Sequence, residues 1–162
     1  MPRESSLTDE LQELLGSRRT AALGTVDDEG APFVSMMPFA VEPSLGCLVI
    51  HVSNLAAHTR YLRQRPRVSL LVMRPERPGE PVHALARVTL QGDADPLESN
   101  RPEWESCRAA YLARFPEAQP MTELGDFQFV AVHVTHGRQI SGFAAARNVG
   151  EEELQRALRA GA

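Results

Sequence analysis

Apolar residues recur along the chain with two spacings, which predict helices at both ends and strands between them. The leucines of "SSLTDELQELLGS" fall on one helical stripe, so we expect an N-terminal helix over residues 1–18. In "GEEELQRALRAG" glutamates come first and arginines later, as the helix dipole favours, and this predicts a C-terminal helix over residues 150–161. The segments between them predict a barrel over residues 20–147 within a single domain spanning residues 1–162.

Six segments of the central region have the apolar runs or the alternation that strands require. Tight turns such as "DDEG" and "PSLG" join the first three, which favours antiparallel hairpins. We therefore predict a mainly β fold, a six- or seven-stranded antiparallel split β-barrel with flanking helices. The segments are "RTAALGTV", "APFVSMMPFAVE", "CLVIHVS", "RVSLLVMRP", "VHALARVTLQGDAD" and "DFQFVAVHVTHGRQISGF".

Composition narrows the possible partners. The formal net charge is −4, and all 17 basic residues are arginines, as in proteins from GC-rich bacterial genomes. No basic stripe indicates nucleic-acid binding, and no apolar run indicates a signal peptide or a membrane span, so we expect a cytoplasmic protein. Cys47 and Cys107 fit neither a disulfide framework nor a metal site, and Cys107 shares an apolar helical stripe with Trp104 and Tyr111. Apolar residues on both faces of "DFQFVAVHV" favour a homodimer.

The stretch "SNLAAHTRYLRQRPRVSLLV" carries the most specific chemistry. Ser53 or Asn54 is placed to cap a short helix whose first-turn amides can bind an anion. His58 and Thr59 are expected to share the inward face of this helix with Leu55. Their imidazole and hydroxyl groups would then lie beside the free amides, an arrangement that can bind a phosphate group. In the alternative interpretation the serine is only a cap, the histidine is a packed core residue and the arginines form a solvated face.

The order of "ALGTVDDEGAPFVSMMPF", "LVIHVSNLAAHTRYLRQRPRVSLLV", "ALARVTLQGDAD" and "ISGFAAA" resembles the pyridoxamine 5′-phosphate oxidase-like FMN-binding split barrels. Within them it is most similar to the subgroup related to the haem-utilisation protein HugZ. The resemblance implies an FMN-dependent oxidoreductase with a small-molecule substrate. It also implies a homodimer with the cofactor site at the subunit interface.

The resemblance assigns cofactor-binding roles to particular positions. The strand "PFVSMMPF" is expected to lie along the flavin ring, and the segment before and within the short helix is expected to hold the ribityl phosphate. Two departures from the family pattern stand out: His58 replaces a common lysine, and Ser141 replaces the first glycine of a "GGF" turn. Arg147 is a further candidate at that turn. The implied cofactor-binding residues are Ser35, Met36, Met37, Ser53, Leu55, His58, Thr59, Arg60, Arg87 (from the facing subunit) and Phe143.

Other readings of the same resemblance stay open. The tail lacks the tryptophan and arginines that grip the substrate phosphate in true pyridoxamine-phosphate oxidases, so that activity is not expected. A haem-binding or haem-degrading protein, a user of the deazaflavin F420, and a non-catalytic flavin-binding barrel are the alternatives. The haem-degrading relatives ligate iron through a histidine on a C-terminal extension, whereas the last histidine here is His136, which leaves His51 or His133 as ligands. Strand alternation puts His133 and His136 on opposite faces, so no metal site is predicted, and no catalytic residue is assigned.

Overall fold

The computed structural model describes residues 3–143 and 145–161. Positions 1 and 2 of the predicted N-terminal helix, position 144 of the predicted barrel and position 162 therefore lie outside the described residues. The helices are α1 (Glu4–Ser17), α2 (Ala57–Gln64), α3 (Pro102–Arg114), the short α4 (Gln119–Thr122) and α5 (Glu151–Arg159).

Eight strands of the described chain form one antiparallel sheet in the order β2-β1-β5-β6-β7-β4-β3, with β8 also paired to β7. β2, at one end of this order, approaches β4 near the other end, so the sheet curls on itself. The predicted mainly β split barrel with flanking helices is confirmed. The strands are β1 (Thr20–Val26), β2 (Pro32–Pro38), β3 (Ala40–Glu42), β4 (Cys47–Ser53), β5 (Arg67–Met73), β6 (Arg87–Pro96), β7 (Phe127–Ser141) and β8 (Ala145–Val149).

The sheet differs from the predicted strand list in three places, and its eight described strands exceed the predicted six or seven. One difference is the strand β8, which follows the last predicted segment and pairs with β7. The segment "APFVSMMPFAVE" divides at Phe39, whose amide donates to the carbonyl oxygen of Arg19, so β2 pairs with β1 while β3 pairs with β4. The strand expected to start at Val82 starts at Arg87 instead. Residues Val82–Ala84 form a 3₁₀ turn after Pro81, and Val82 is exposed.

The inner face of the curled sheet buries the main core. Alternate residues of β1, namely Ala21, Leu23 and Thr25, are buried, while the residues between them are partly exposed. Helices α1, α2 and α5 close this core with their apolar stripes. They contribute Leu11, Leu14, Leu15, Leu62, Leu154 and Leu158.

The outer face of β4 and of the first half of β7 is covered by α3, which forms a second core. Both cysteine thiols are free and lie buried in it, as predicted for Cys107. Both faces of this half of β7 are therefore buried within one chain. The apolar residues on both faces of "DFQFVAVHV" are thus covered within one chain, on the outer face by α3. The second core includes Cys47, Val49, Phe129 and Ala131 from the sheet, with Cys107 and Tyr111 from α3.

A β-bulge in β7 changes the direction of the side chains beyond it. The register between β6 and β7 slips between Gln91 and Gly92, which leaves Thr135 as the extra residue of β7. A Cβ on Gly92 would collide with the carbonyl oxygen of His133, so the close approach at the bulge requires glycine. Because of the extra residue, His133 and His136 both lie on the exposed side of the sheet.

Arg114, the last residue of α3, ties this helix to the N-terminal part of the chain. Its guanidinium donates to the carbonyl oxygens of Leu15 and Gly16 at 3.1 Å each, of Arg18 at 2.9 Å and of Phe39 at 3.1 Å. One cation thus satisfies carbonyls at the end of α1 and at the break between β2 and β3.

We expect Arg114→Met to lower the free energy of unfolding by about 3 kcal/mol, because the partly buried carbonyl oxygens lose their charged donor. Chemical denaturation measures the change. Arg108→Met is the matched control, since Arg108 lies on the same helix and its side chain makes no hydrogen bond or ion pair with the described residues. Equal losses in the two variants would contradict this role for Arg114.

Candidate functional site

Ser35 and His58, both predicted to bind the cofactor, are in direct contact. Ser35 pairs with the buried Leu23 and so faces the inner side of the sheet, where the first turn of α2 brings His58 to it. The Ser35 Oγ and His58 Nδ1 atoms are hydrogen-bonded at 3.1 Å. Burial lowers the pKa of His58, which favours the neutral imidazole. The fold therefore joins two residues that are 23 positions apart in the sequence.

The polar groups of the loop before α2 form hydrogen bonds with one another. Thr59 is fully buried, and its hydroxyl donates to the carbonyl oxygen of Ser53 at 2.6 Å. The Leu55 amide donates to Ser53 Oγ at 3.2 Å. The N-cap of α2 is Ala56, with no side-chain capping bond, so the predicted capping by Ser53 or Asn54 is wrong. Leu55 is 88% exposed and does not share the inward face of the helix, contrary to the prediction.

Met36 lies on the opposite side of the sheet from Ser35 and lines a groove there, which we call the outer groove. It encloses about 500 Å³ over β2, β1 and β5. Val34 and Met36 are each 66% exposed and Met73 is 38% exposed, an unusual density of uncovered apolar side chains. The floor is formed by Ala22, Val34, Met36, Leu71 and Met73, with Arg18, Arg74 and Glu76 at the rim.

The two rim arginines differ in their partners. Arg74 donates to a carboxylate oxygen of Glu13 at 2.7 Å. The Nε atom of Arg18 is buried and has no hydrogen-bond partner among the described residues. Sequence analysis missed both, because neither belongs to a motif; Arg18 reaches the groove only because α1 ends beside β1.

The remaining predicted residues are dispersed. Met37 is buried in the inner core. Arg60 forms an exposed ion pair with Asp28 at 2.8 Å. Arg87 donates to two backbone carbonyl oxygens of the loop before β6, at 2.8 and 3.3 Å. Phe143 is 75% exposed at the turn between β7 and β8. The predicted site is thus divided between the inner pair Ser35–His58, the outer groove and more distant positions.

His51, one alternative iron ligand, is enclosed by aromatic rings. Its ring stacks on Phe127 with centroids 5.1 Å apart, and it lies 4.5 Å from Phe129 and 5.6 Å from Tyr111. The side chain is buried, its Nδ1 has no partner among the described residues, and burial lowers its pKa to about 4. A planar macrocycle cannot reach this ring without displacing its neighbours.

His133 and His136 lie on the same face of the sheet, so the prediction of opposite faces is wrong. Simple alternation fails because the bulge adds Thr135 between them. His133 Nε2 is 3.6 Å from a carboxylate oxygen of Asp95, whereas His136 Nδ1 is hydrogen-bonded to Thr135 Oγ1 at 3.0 Å. Within residues 3–143 and 145–161, no three His, Cys, Asp or Glu residues cluster as a metal site would require.

The curled sheet, the helix α2 after β4 and the groove over β2 define a split-barrel protein with an open groove on its outer face. The sequence matches the pyridoxamine 5′-phosphate oxidase family over residues 7–141, and the chain belongs to that family. In the part of the chain that the structure describes, every helix is too short or too polar to cross a membrane.

Three of the proteins to which this chain is similar are named for haem. "Heme oxygenase HutZ" of Vibrio cholerae is 30% identical over 152 residues, which cover 93% of this chain and 85% of that protein. The chloroplastic "Non-canonical heme oxygenase HOZ" of Arabidopsis thaliana is 37% identical over 145 residues, 87% of this chain and 42% of that protein. A heme binding protein from Mycobacterium smegmatis superposes with a TM-score of 0.83 at 29% identity, covering 96% of this chain and 62% of that one.

These relatives correct the predicted cofactor. The resemblance to FMN-binding barrels implied FMN, with haem and F420 as lesser alternatives, and that prediction is wrong because all three relatives are named for haem. The structure adds a physical reason: the Thr59 hydroxyl, expected to hold the FMN phosphate, is buried and donates to the backbone of its own loop. The similarity to FMN-binding barrels is therefore a similarity of fold.

The enclosure of His51 predicts a dependence of stability on pH. The pKa of this imidazole is about 6.5 in the unfolded chain and about 4 in the folded one. Its contribution to the free energy of unfolding is therefore complete above pH 6.5 and is lost as the pH falls towards 4. The free energy of unfolding should fall by about 3 kcal/mol across this range. Urea denaturation of His51→Phe should show a smaller fall, which His58 and Glu153 still cause because their pKa values are also lowered in the folded chain. An unchanged slope in His51→Phe would contradict the assignment.

Proposed function

We propose that this protein binds haem in the outer groove. Haem is a flat, largely apolar macrocycle that carries two carboxylates, and its iron accepts nitrogen or sulfur ligands. The groove offers aliphatic and thioether side chains over three neighbouring strands, with guanidinium groups at its rim. The names of the relatives support the same ligand.

The observation that carries the proposal is the buried Nε of Arg18. A buried polar nitrogen without a partner is costly, and a carboxylate at the groove rim would satisfy it with a charge-assisted hydrogen bond. Arg74 stands at the same rim, although it shares its charge with Glu13. Arg18 and Arg74 would therefore hold the two haem carboxylates, and the apolar floor would exclude water from one face of the macrocycle.

We further propose that the protein acts as a homodimer. The outer groove is a shallow depression, so it covers only one face of a flat ligand, and the apolar side chains around it remain largely exposed in one chain. A second copy packed on this surface would cover both the open face of the ligand and the exposed apolar side chains. When bound, haem would supply a redox-active iron, and the residues of the groove would provide orientation and shielding.

Titration of the purified protein with haem, followed by the Soret absorption, tests this proposal. We expect retention of haem through gel filtration and an affinity about tenfold weaker in Arg18→Gln, through loss of one charge-assisted hydrogen bond. Arg108→Gln, on the remote helix α3, should bind like the wild type. A wild-type protein that retains no haem, or equal affinities for both variants, would contradict the assignment to this groove.

A further inference from the structure

The second core holds the two thiols of the chain, Cys47 and Cys107. Cys47 begins β4, Cys107 lies in the middle of α3, and neither side chain is exposed to solvent. Neither residue belongs to the outer groove or to the inner pair Ser35–His58, so haem binding gives them no role. Two thiols on packed elements can form an oxidisable link between those elements.

The packing of α3 on β4 places the two thiols against each other. Cys47 and His51 are four residues apart on β4 and face the same side of the sheet, while Cys107 and Tyr111 occupy successive turns of one face of α3. The His51 and Tyr111 rings have centroids 5.6 Å apart, so these two faces are in contact. Along the same contact, the Cys47 thiol is hydrogen-bonded to Cys107. The two sulfur atoms are therefore neighbours in the reduced protein, as disulfide formation requires.

The two thiols differ in acidity. The Cys47 thiol donates its hydrogen bond to the Cys107 sulfur, which stabilises a thiolate there and lowers the pKa of Cys107. The same hydrogen bond, together with burial, raises the pKa of Cys47, so this thiol keeps its proton. Because the thiolate is the nucleophile, Cys107 is the sulfur that reacts first with an oxidant.

Burial determines which oxidants can reach the pair. The helix that covers the thiols is held at both ends: Arg101 donates to both carboxylate oxygens of Asp95 at 2.8 and 3.1 Å, and Arg114 donates to carbonyl oxygens at the end of α1. Opening of α3 is therefore a rare local fluctuation. It admits a small uncharged molecule such as hydrogen peroxide more readily than a large charged disulfide such as oxidised glutathione.

We propose that Cys47 and Cys107 form a reversible disulfide when the protein meets hydrogen peroxide, and that this bond locks α3 onto β4. The bond closes a loop of about 60 residues, so it restricts the unfolded chain and stabilises the folded one. The inference concerns the second core and does not depend on haem binding. A protein that retains no haem would still show the same chemistry at these thiols.

The reaction balances with one molecule of peroxide as the oxidant. The Cys107 thiolate attacks one peroxide oxygen, the O–O bond breaks, and the departing hydroxide takes up the proton that the Cys107 thiol had lost. The Cys47 sulfur then attacks the sulfenic acid on Cys107, the S–O bond breaks, and the hydroxyl group leaves as a second water with the proton of Cys47. The thiols lose two electrons in total, and a dithiol reductant returns them by thiol–disulfide exchange.

Peptide mapping by mass spectrometry tests whether the bond forms. After peroxide treatment we expect a cross-linked pair of peptides that contain Cys47 and Cys107, lighter than the two reduced peptides by two hydrogen atoms. Dithiothreitol should restore both thiols, and oxidised glutathione should leave them unmodified in the folded protein. Peroxide treatment that leaves both thiols free, or that joins two chains, would overturn the proposal.

Single variants test the order of the two steps. In Cys47→Ala the sulfenic acid on Cys107 has no thiol to attack it, so dimedone should trap it as an adduct. In Cys107→Ala the remaining Cys47 thiol keeps its proton and should give a much smaller adduct under the same conditions. Equal adducts in the two variants would contradict the assignment of Cys107 as the attacking sulfur.

Urea denaturation measures the effect of the bond on α3 and the second core. The equilibrium constant for unfolding should be about a hundredfold lower in the oxidised protein than in the reduced one, and dithiothreitol should reverse the change. Cys47→Ala/Cys107→Ala treated with peroxide is the matched control, since it retains every methionine that peroxide can also oxidise, and its stability should not rise. An oxidised wild-type protein that unfolds at the same urea concentration as the reduced one would overturn the proposed lock.

Discussion

The two faces of the sheet are buried to different extents, and the rest of the structure depends on this difference. The inner face is buried along its whole width by the curl of the sheet and by α1, α2 and α5. The outer face is covered only over β4 and the first half of β7, where α3 packs. Arg114 fixes the end of α3 to the end of α1, so the covered region stops at a defined boundary. What remains bare, from β2 to β6, is the surface that carries the groove.

The difference between the two faces explains which features of the fold could be predicted from the sequence. The period of two in β1 and β6 and the helical stripes at both ends depend on local chemistry, and they predicted the barrel. The two-sided apolar pattern of β7 has the same appearance whether a second chain or an internal helix covers it. Only the position of α3, set by contacts distant in sequence such as Cys107 against the sheet, decides between the two.

The same limit of sequence-based prediction applies to single residues of the candidate site. Ser35 and His58 were predicted together and do touch, because the resemblance fixed both the strand and the helix that carry them. Met36 was predicted beside Ser35, yet adjacent residues of a strand face opposite sides, so their side chains point away from each other although both residues line the groove. Arg18 carries no signal in the sequence, since its role arises from where α1 ends. The cofactor was beyond the pattern as well, because the sequence of the loop does not show that the Thr59 hydroxyl is buried and bonded to its own backbone.

The bulge links these observations. Without the bulge at Thr135, strict alternation would turn His136 towards the core, where a charged or hydrogen-bonding imidazole is costly. Gly92 makes the bulge possible, and the bulge exposes the imidazole while giving its Nδ1 a hydroxyl partner. The bulge thus places the imidazole on the outer face of the sheet, the same face that carries the groove over β2, β1 and β5.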